Sequence, residues 1–248
     1  MSVIRFLEEL GRADLRLAGG KGANLGELVR AGFPVPGGFV VTTDAYRHCV
    51  SPPDLGGLDV RDVIALEATS ARIGAAIEAA TLPEEVAAEV VEAYRRLGSP
   101  PVAARSSATA EDLPGASFAE QQERFLDVQG EHELLRAMRR CWASLWTARA
   151  IRYRAERGYD SETVALAVVV QAMAPHDVAG VGFTVNPVSG SADELLVNAV
   201  RGVGEMLVRG EARPDQWIAR RPDGAVLSPR AGAGARARSS PAPPRPAA

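Results

Sequence analysis

Residues 100–128, "PPVAARSSATAEDLPGASFAEQQERFLDV", change the character of the chain. Val102–Ser106 reads as a buried strand, entered through two prolines. A polar loop of small residues follows from Ser107 to Ser117, and Arg124–Val128 reads as the next strand. One guanidinium, Arg105, leaves the strand and enters the run Ser106-Ser107-Ala108-Thr109-Ala110-Glu111-Asp112. A fork of donors followed by slim side chains suits a phosphate clamp, because anionic oxygens can approach closely. A solvated turn with helix caps is the plainer alternative.

Upstream, residues 1–50 read as a short opening helix, a Gly-rich turn, a helix with Leu25, Leu28 and Val29 on its apolar stripe, and a strand at Phe39–Thr43. Gly32 suits the end of that helix. A Pro/Gly loop spans 51–60. Helices are predicted over 61–80 and 83–97, the second with Glu84 and Glu85 in a first turn that favours acids. Downstream, 131–157 reads as one long helix with Leu134, Leu135, Met138, Cys141, Trp142, Leu145, Trp146 and Ile151 on a broad apolar face. "TVALAVVVQAM" (163–173) is a continuous β-branched run, the pattern of a strand covered on both faces. Further strands are predicted at Gly182–Val185, Glu194–Val200, Gln216–Ala219 and Ala225–Leu227. The last stretch, Pro229–Ala248, holds only Ala, Pro, Arg, Gly and Ser and is expected to be disordered.

The totals narrow the classes of function. With 248 residues, 46% hydrophobic and 24% charged, the chain can bury a sizeable core. Its net charge of −3 gives no drive toward nucleic acid. The arginines at 136, 139, 140, 149, 152, 154 and 157 share their helix with Glu131, Glu133 and Glu156, which reads as a solvated face. No apolar run reaches the roughly 18 residues of a membrane span, so no membrane partner is expected. Cys49 and Cys141 form no metal or redox spacing, and a reduced, cytoplasmic setting is the default. Of 28 basic residues only Lys21 is lysine. A compact ammonium on a thin stem reaches phosphate as a point charge, which a guanidinium does not. Lys21 sits in Gly19-Gly20-Lys21-Gly22, which fails the Walker A pattern: Gly follows the lysine, and Leu15 stands where the first glycine belongs. A glycine loop leading into a helix can still offer N–H groups to a phosphate, or be only a turn.

Five blocks in order resemble the nucleotide-binding region of the phosphoenolpyruvate synthase, pyruvate phosphate dikinase and rifampin phosphotransferase group. They are "GGKGANLGEL…VPGGFVVTTDAY", "RSSATAEDLPGASFA.QQE.FL.V", "CWASLWTARAIRYR", "VVVQAM…VAGVGFTVNP" and "GVGEMLVRG…PDQW". The resemblance implies an α+β, ATP-grasp-like domain of two lobes over 1–228, incomplete at its C-terminus, with a disordered tail at 229–248. It implies ATP and Mg2+ as cofactors. Lys21 and Arg105 would hold the phosphates. Ser106, Thr109 and Gln121 would lie in or beside the loop over the polyphosphate, Gln171 and Met173 beside the adenine, and Glu205 near the nucleotide. The phosphate would pass to a histidine on a separate domain, then to pyruvate or rifampin.

Three departures bear on that expectation. Glu120 replaces the usual Gly of "SFAGQQ", placing a carboxylate where a polyphosphate would be repelled. Nothing matches the family's "QDIEW"-type acids, so no metal ligand is assigned. None of His48, His132 and His176 lies in the family's histidine motif. The competing reading is a non-catalytic nucleotide-binding module or an inactive remnant.

Overall fold

The structure is a computed structural model that describes residues 2–108, 124–159, 164–202 and 204–232. The chain forms two compact units, divided between Ala174 and Pro175. Both combine helices with antiparallel sheet, as an α+β chain should.

The first unit is built on a five-stranded sheet. Its strands are β1 (Ile4–Phe6), β2 (Gly38–Val41), β3 (Val102–Ala108), β4 (Arg124–Val128) and β5 (Leu166–Ala172), in the order β1-β2-β5-β3-β4. Every neighbouring pair is antiparallel. The predicted apolar run is the central strand β5. Its alternate residues serve two cores. Ala167 and Val169 join Val40, Leu7, Leu10 and Ala18 on one face, while Val168 and Val170 join the main core on the other. Each such valine, wholly buried, stabilises the fold by about 2 kcal/mol. That double burial explains the absence of polar alternation.

One face carries a single helix, α1 (Leu15–Arg30). The other carries α2 (Thr43–Cys49), α3 (Val63–Ala79), α4 (Glu84–Arg96), α5 (Glu131–Ala143) and α6 (Ala148–Arg157). As predicted, α4 has Glu84 and Glu85 in its first turn; the structure adds Arg95 and Arg96 in its last, and both sets complement the helix dipole. The long helix expected over 131–157 is broken. A 3-10 turn, Ser144–Trp146, follows α5, and Thr147 caps α6 by accepting from the Ala150 N–H. The expected opening helix is also absent among the described residues. Ile4–Phe6 pairs with β2 instead, and only 3-10 turns follow it.

The break at Thr147 assembles a polar knot inside the core. Trp146 Nε1 donates to the Tyr46 hydroxyl at 2.9 Å, and Tyr46 meets Trp142 edge-on at 5.9 Å. The Arg154 guanidinium lies 5.0 Å from the Trp146 ring centroid. Arg154 is buried rather than solvated, which corrects the reading of that helix face. Burial pushes the Tyr46 phenol up to about 12, outweighing the Trp146 hydrogen bond and the Arg154 and Arg47 charges. Burial lowers Arg154 to about 10. The folded-state pKa of Tyr46 exceeds its unfolded value, so its contribution is complete below pH 10 and is lost as pH rises toward 12. Tyr46→Phe should therefore lose about 1 kcal/mol at neutral pH through the missing hydrogen bond, yet lose less than wild type in alkali. Chemical denaturation at pH 8 and pH 11.5 checks this. Arg154 titrates over the same range with opposite sign, so the variant comparison, not the raw curve, isolates the phenol.

The second unit is an antiparallel meander of β6 (Val178–Phe183), β7 (Glu194–Arg201), β8 (Asp215–Arg220) and β9 (Val226–Arg230), with the short helix α7 (Glu205–Val208). Strand β6 starts earlier than the predicted Gly182–Val185, and β9 runs past Leu227 through Pro229 and Arg230, so the first residues of the expected disordered tail are instead paired with β8. Asn186 is buried and closes a turn. Its side chain accepts from the Val188 N–H at 2.9 Å and donates to Glu194 at 2.6 Å.

Candidate functional site

The glycine loop is a break within α1. Gly19 has φ 67 and ψ 173, while helix continues on both sides. A Cβ at that position would overlap the Ser107 carbonyl and hydroxyl. Only glycine tolerates both the left-handed φ and the contact. Ser107 then closes the break from β3. Its hydroxyl donates to the Ala18 carbonyl at 2.8 Å and accepts from the Gly22 N–H at 3.2 Å. One turn of helix and the end of one strand are thereby fastened together. Lys21 extends from this junction, and its Nζ donates to the Ser106 carbonyl at 3.0 Å. The ammonium is thus anchored next to Arg105 in the strand.

Strand alternation and register place the remaining groups. Ser107 faces α1, so Arg105, two residues before it, shares that face. Arg105 also pairs with Val169, whose side chain belongs to the α1-side core. Across the other edge, Arg105 pairs directly with Arg124 of β4. The Arg105 guanidinium is half-buried, and its pKa is lowered, first by burial and then by the Arg124 charge. Gln171 is two residues from Val169 and lies in the row of Gly38 and Ala103, again on the α1 face. From the Ser107 row to the Ala103 row is four residues, about 13 Å of strand. Lys21 stands toward one end of this track, Arg105 at its middle and Gln171 at the other end.

The predicted residues divide accordingly. Lys21, Arg105 and Gln171 share a face. Ser106 is adjacent, but its hydroxyl points to the opposite face and is buried, so its carbonyl is what meets Lys21. Gln171 Nε2 donates to the Pro36 carbonyl at 3.1 Å, which leaves its amide oxygen as the acceptor. The Ala172 and Met173 N–H groups are engaged by the Gly37 and Pro101 carbonyls, each at 2.9 Å. Pairing of those N–H groups with a base edge is therefore preempted. Thr109 and Gln121, and with them Glu120, lie outside the described residues. Glu205 opens α7 in the second unit. Sequence reading missed Ser107 and Arg124. Period-two alternation could have linked Ser107 to Arg105, whereas Arg124 needed the register.

Among the described residues no three His, Cys, Asp or Glu side chains cluster as metal ligands. A cavity of about 630 Å³ lies in the second unit, lined by Arg213, Gln216 and Arg230 among others. It touches none of the predicted residues.

Residues 15–242 match the pyruvate phosphate dikinase, AMP/ATP-binding domain family. The chain belongs to that family. It is 46% identical over 232 residues to a probable phosphoenolpyruvate synthase of Methanocaldococcus jannaschii, covering 88% of this chain and 20% of that protein. A probable phosphoenolpyruvate synthase of Methanothermobacter thermautotrophicus is 46% identical over 230 residues, covering 87% and 34%. The phosphoenolpyruvate synthase of Pyrococcus furiosus is 40% identical over 261 residues, covering 87% and 32%. The chain therefore spans between a fifth and about a third of these relatives. The matched family is described as an AMP/ATP-binding domain.

Proposed function

We propose that the α1 face of the first unit binds ATP, with Lys21 and Arg105 on its phosphates and the Gln171 amide oxygen toward the base. The observation that carries this reading is the hydrogen bond from Lys21 to the Ser106 carbonyl. It fixes the chain's single lysine beside Arg105 in a chain of a family described as AMP/ATP-binding. The helix restarting after Gly19 adds a positive dipole end at the same place.

In this reading the chain is the ATP-binding portion of a dikinase-type phosphotransferase, an ATP-grasp-like region that runs past the expected boundary at 228 to the end of β9. It acts in the cytoplasm, with the phosphate passed to a histidine on a separate domain and then to pyruvate or another acceptor. His48 and His132 are surface residues beside Glu85 and Glu133 and have no part in that transfer. Described groups around Lys21 are cationic and supply no carboxylate set for Mg2+, so the metal would arrive on the polyphosphate or be held elsewhere. The same site in a non-catalytic module would bind ATP without turnover.

Calorimetric titration of the 248-residue chain with ATP, with and without Mg2+, should give saturable binding at micromolar concentration. No heat and no thermal stabilisation at millimolar ATP would refute the reading. Phosphate release or AMP formation in the same samples separates the catalytic form from the module.

A further inference from the structure

The polar knot among α2, α5 and α6 holds more hydrogen-bond donors than acceptors. Arg154 is 1% exposed, and its Nε, Nη1 and Nη2 have no hydrogen-bond partner among the described residues. Trp142 is also 1% exposed, and its Nε1 has none either. Tyr46 joins the two. Its ring meets Trp142 edge-on, and its phenol is the titratable group that acts on the Arg154 charge. The Tyr46 hydroxyl accepts from Trp146, and no described residue accepts its own proton. A buried indole N–H ordinarily finds an acceptor, and a buried guanidinium ordinarily has a carboxylate. Among the described residues no carboxylate acts on Arg154. Loss of its proton does not relieve the mismatch: burial lowers Arg154 only to about 10, so it is charged at neutral pH. The Trp146 ring, its centroid 5.0 Å from the guanidinium, attracts the charge but offers no lone pair to the N–H groups.

We propose that this knot binds one small monovalent anion, of the chloride class, between the Arg154 guanidinium and the Trp142 indole N–H. Every unmatched group is a donor, so the ligand is an acceptor. One buried cation is balanced by one negative charge, whereas a phosphate or sulfate dianion would leave a net charge in the core. Tyr46, Trp142 and Trp146 are large aromatic walls within the main core. Close packing of that kind suits a compact sphere better than a branched oxyanion. The site lies on the sheet face opposite α1, apart from Lys21, Arg105 and Gln171.

Thermal melts of the whole chain test this at constant ionic strength, with sodium gluconate exchanged for sodium chloride. Wild type should melt about 5 °C higher in about 100 mM chloride than in gluconate, and bromide should act like chloride. Arg154→Met should be at least as stable as wild type in gluconate, because an apolar side chain replaces an uncompensated buried charge. Its melting should show no chloride response. Wild-type crystals grown in bromide need no variant and should show an anomalous peak beside Arg154 and Trp142 Nε1. Melting that follows ionic strength alone, an equal chloride response in Arg154→Met, or no anomalous peak in the knot overturns the assignment, because the acceptor then comes from the chain itself.

Discussion

Gly19→Ala is expected to lower the melting temperature by about 10 °C and to abolish ATP binding. Two costs combine at this position. An alanine at φ 67 and ψ 173 pays about 1–3 kcal/mol for a backbone region that is essentially glycine-only. Its methyl would also overlap the Ser107 carbonyl, and that oxygen belongs to a strand paired on both sides. Either the strand shifts or the helix break opens, adding a further 1–3 kcal/mol by the scale of overpacked cores. For a domain of this size each kcal/mol is worth roughly 2–4 °C. Gly32→Ala is the matched control. Gly32 has φ 80, but a Cβ there meets nothing within 4 Å, so it carries only the conformational penalty. Gly32→Ala should melt about 3–4 °C low and bind ATP normally. If calorimetric melts show the two variants equally destabilised, the contact with Ser107 carries no energy of its own. If Gly19→Ala still binds ATP like wild type, the break does not set the position of Lys21.

The same junction shows what the amino-acid order could and could not reveal. Strand β5 was legible because seven residues from Leu166 to Ala172 contain one polar side chain, and a strand buried on both faces needs no alternation. Helix α4 was legible from the acids in its first turn and α5 from its apolar spacing. The break between α5 and α6 was missed although Thr147 is a good capping residue, because the apolar face of Leu145, Trp146 and Ile151 continues across it. Strand β1 has three residues, too few for any period to register. Lys21 and Arg105 stood out by residue type, one as the lone lysine and one as the arginine entering a hydroxyl run. Their convergence on one face depends on Ser107 fastening α1 to β3, a contact between residues 85 positions apart. Arg124 carried no local signal, because its meaning lies in a cross-strand partner that sequence spacing does not disclose. Ser106 drew attention by adjacency, yet alternation turned its hydroxyl away.

Lys21→Ala and Arg105→Ala should each weaken ATP binding by about 100-fold while leaving the fold close to intact. The magnitude follows from losing a charge-assisted contact to phosphate, at most about 3 kcal/mol. The fold should tolerate both changes. Lys21 is half-buried rather than part of the apolar core, and removing Arg105 relieves its repulsion from Arg124. Lys21→Arg conserves the charge but should not restore affinity. A guanidinium is bulkier than an ammonium and spreads its donors in a plane, whereas Lys21 meets the Ser106 carbonyl with a single nitrogen at 3.0 Å. The double variant decides whether the two cations act together. Groups that hold one triphosphate are coupled, so the double loss should fall short of the product of the single losses by tenfold or more. Affinities from competition calorimetry, with melts as the folding control, supply the cycle. Strict multiplication of the two effects would place Lys21 and Arg105 on separate ligands, and a Lys21→Ala chain that binds ATP as tightly as wild type would remove the ammonium from the site altogether.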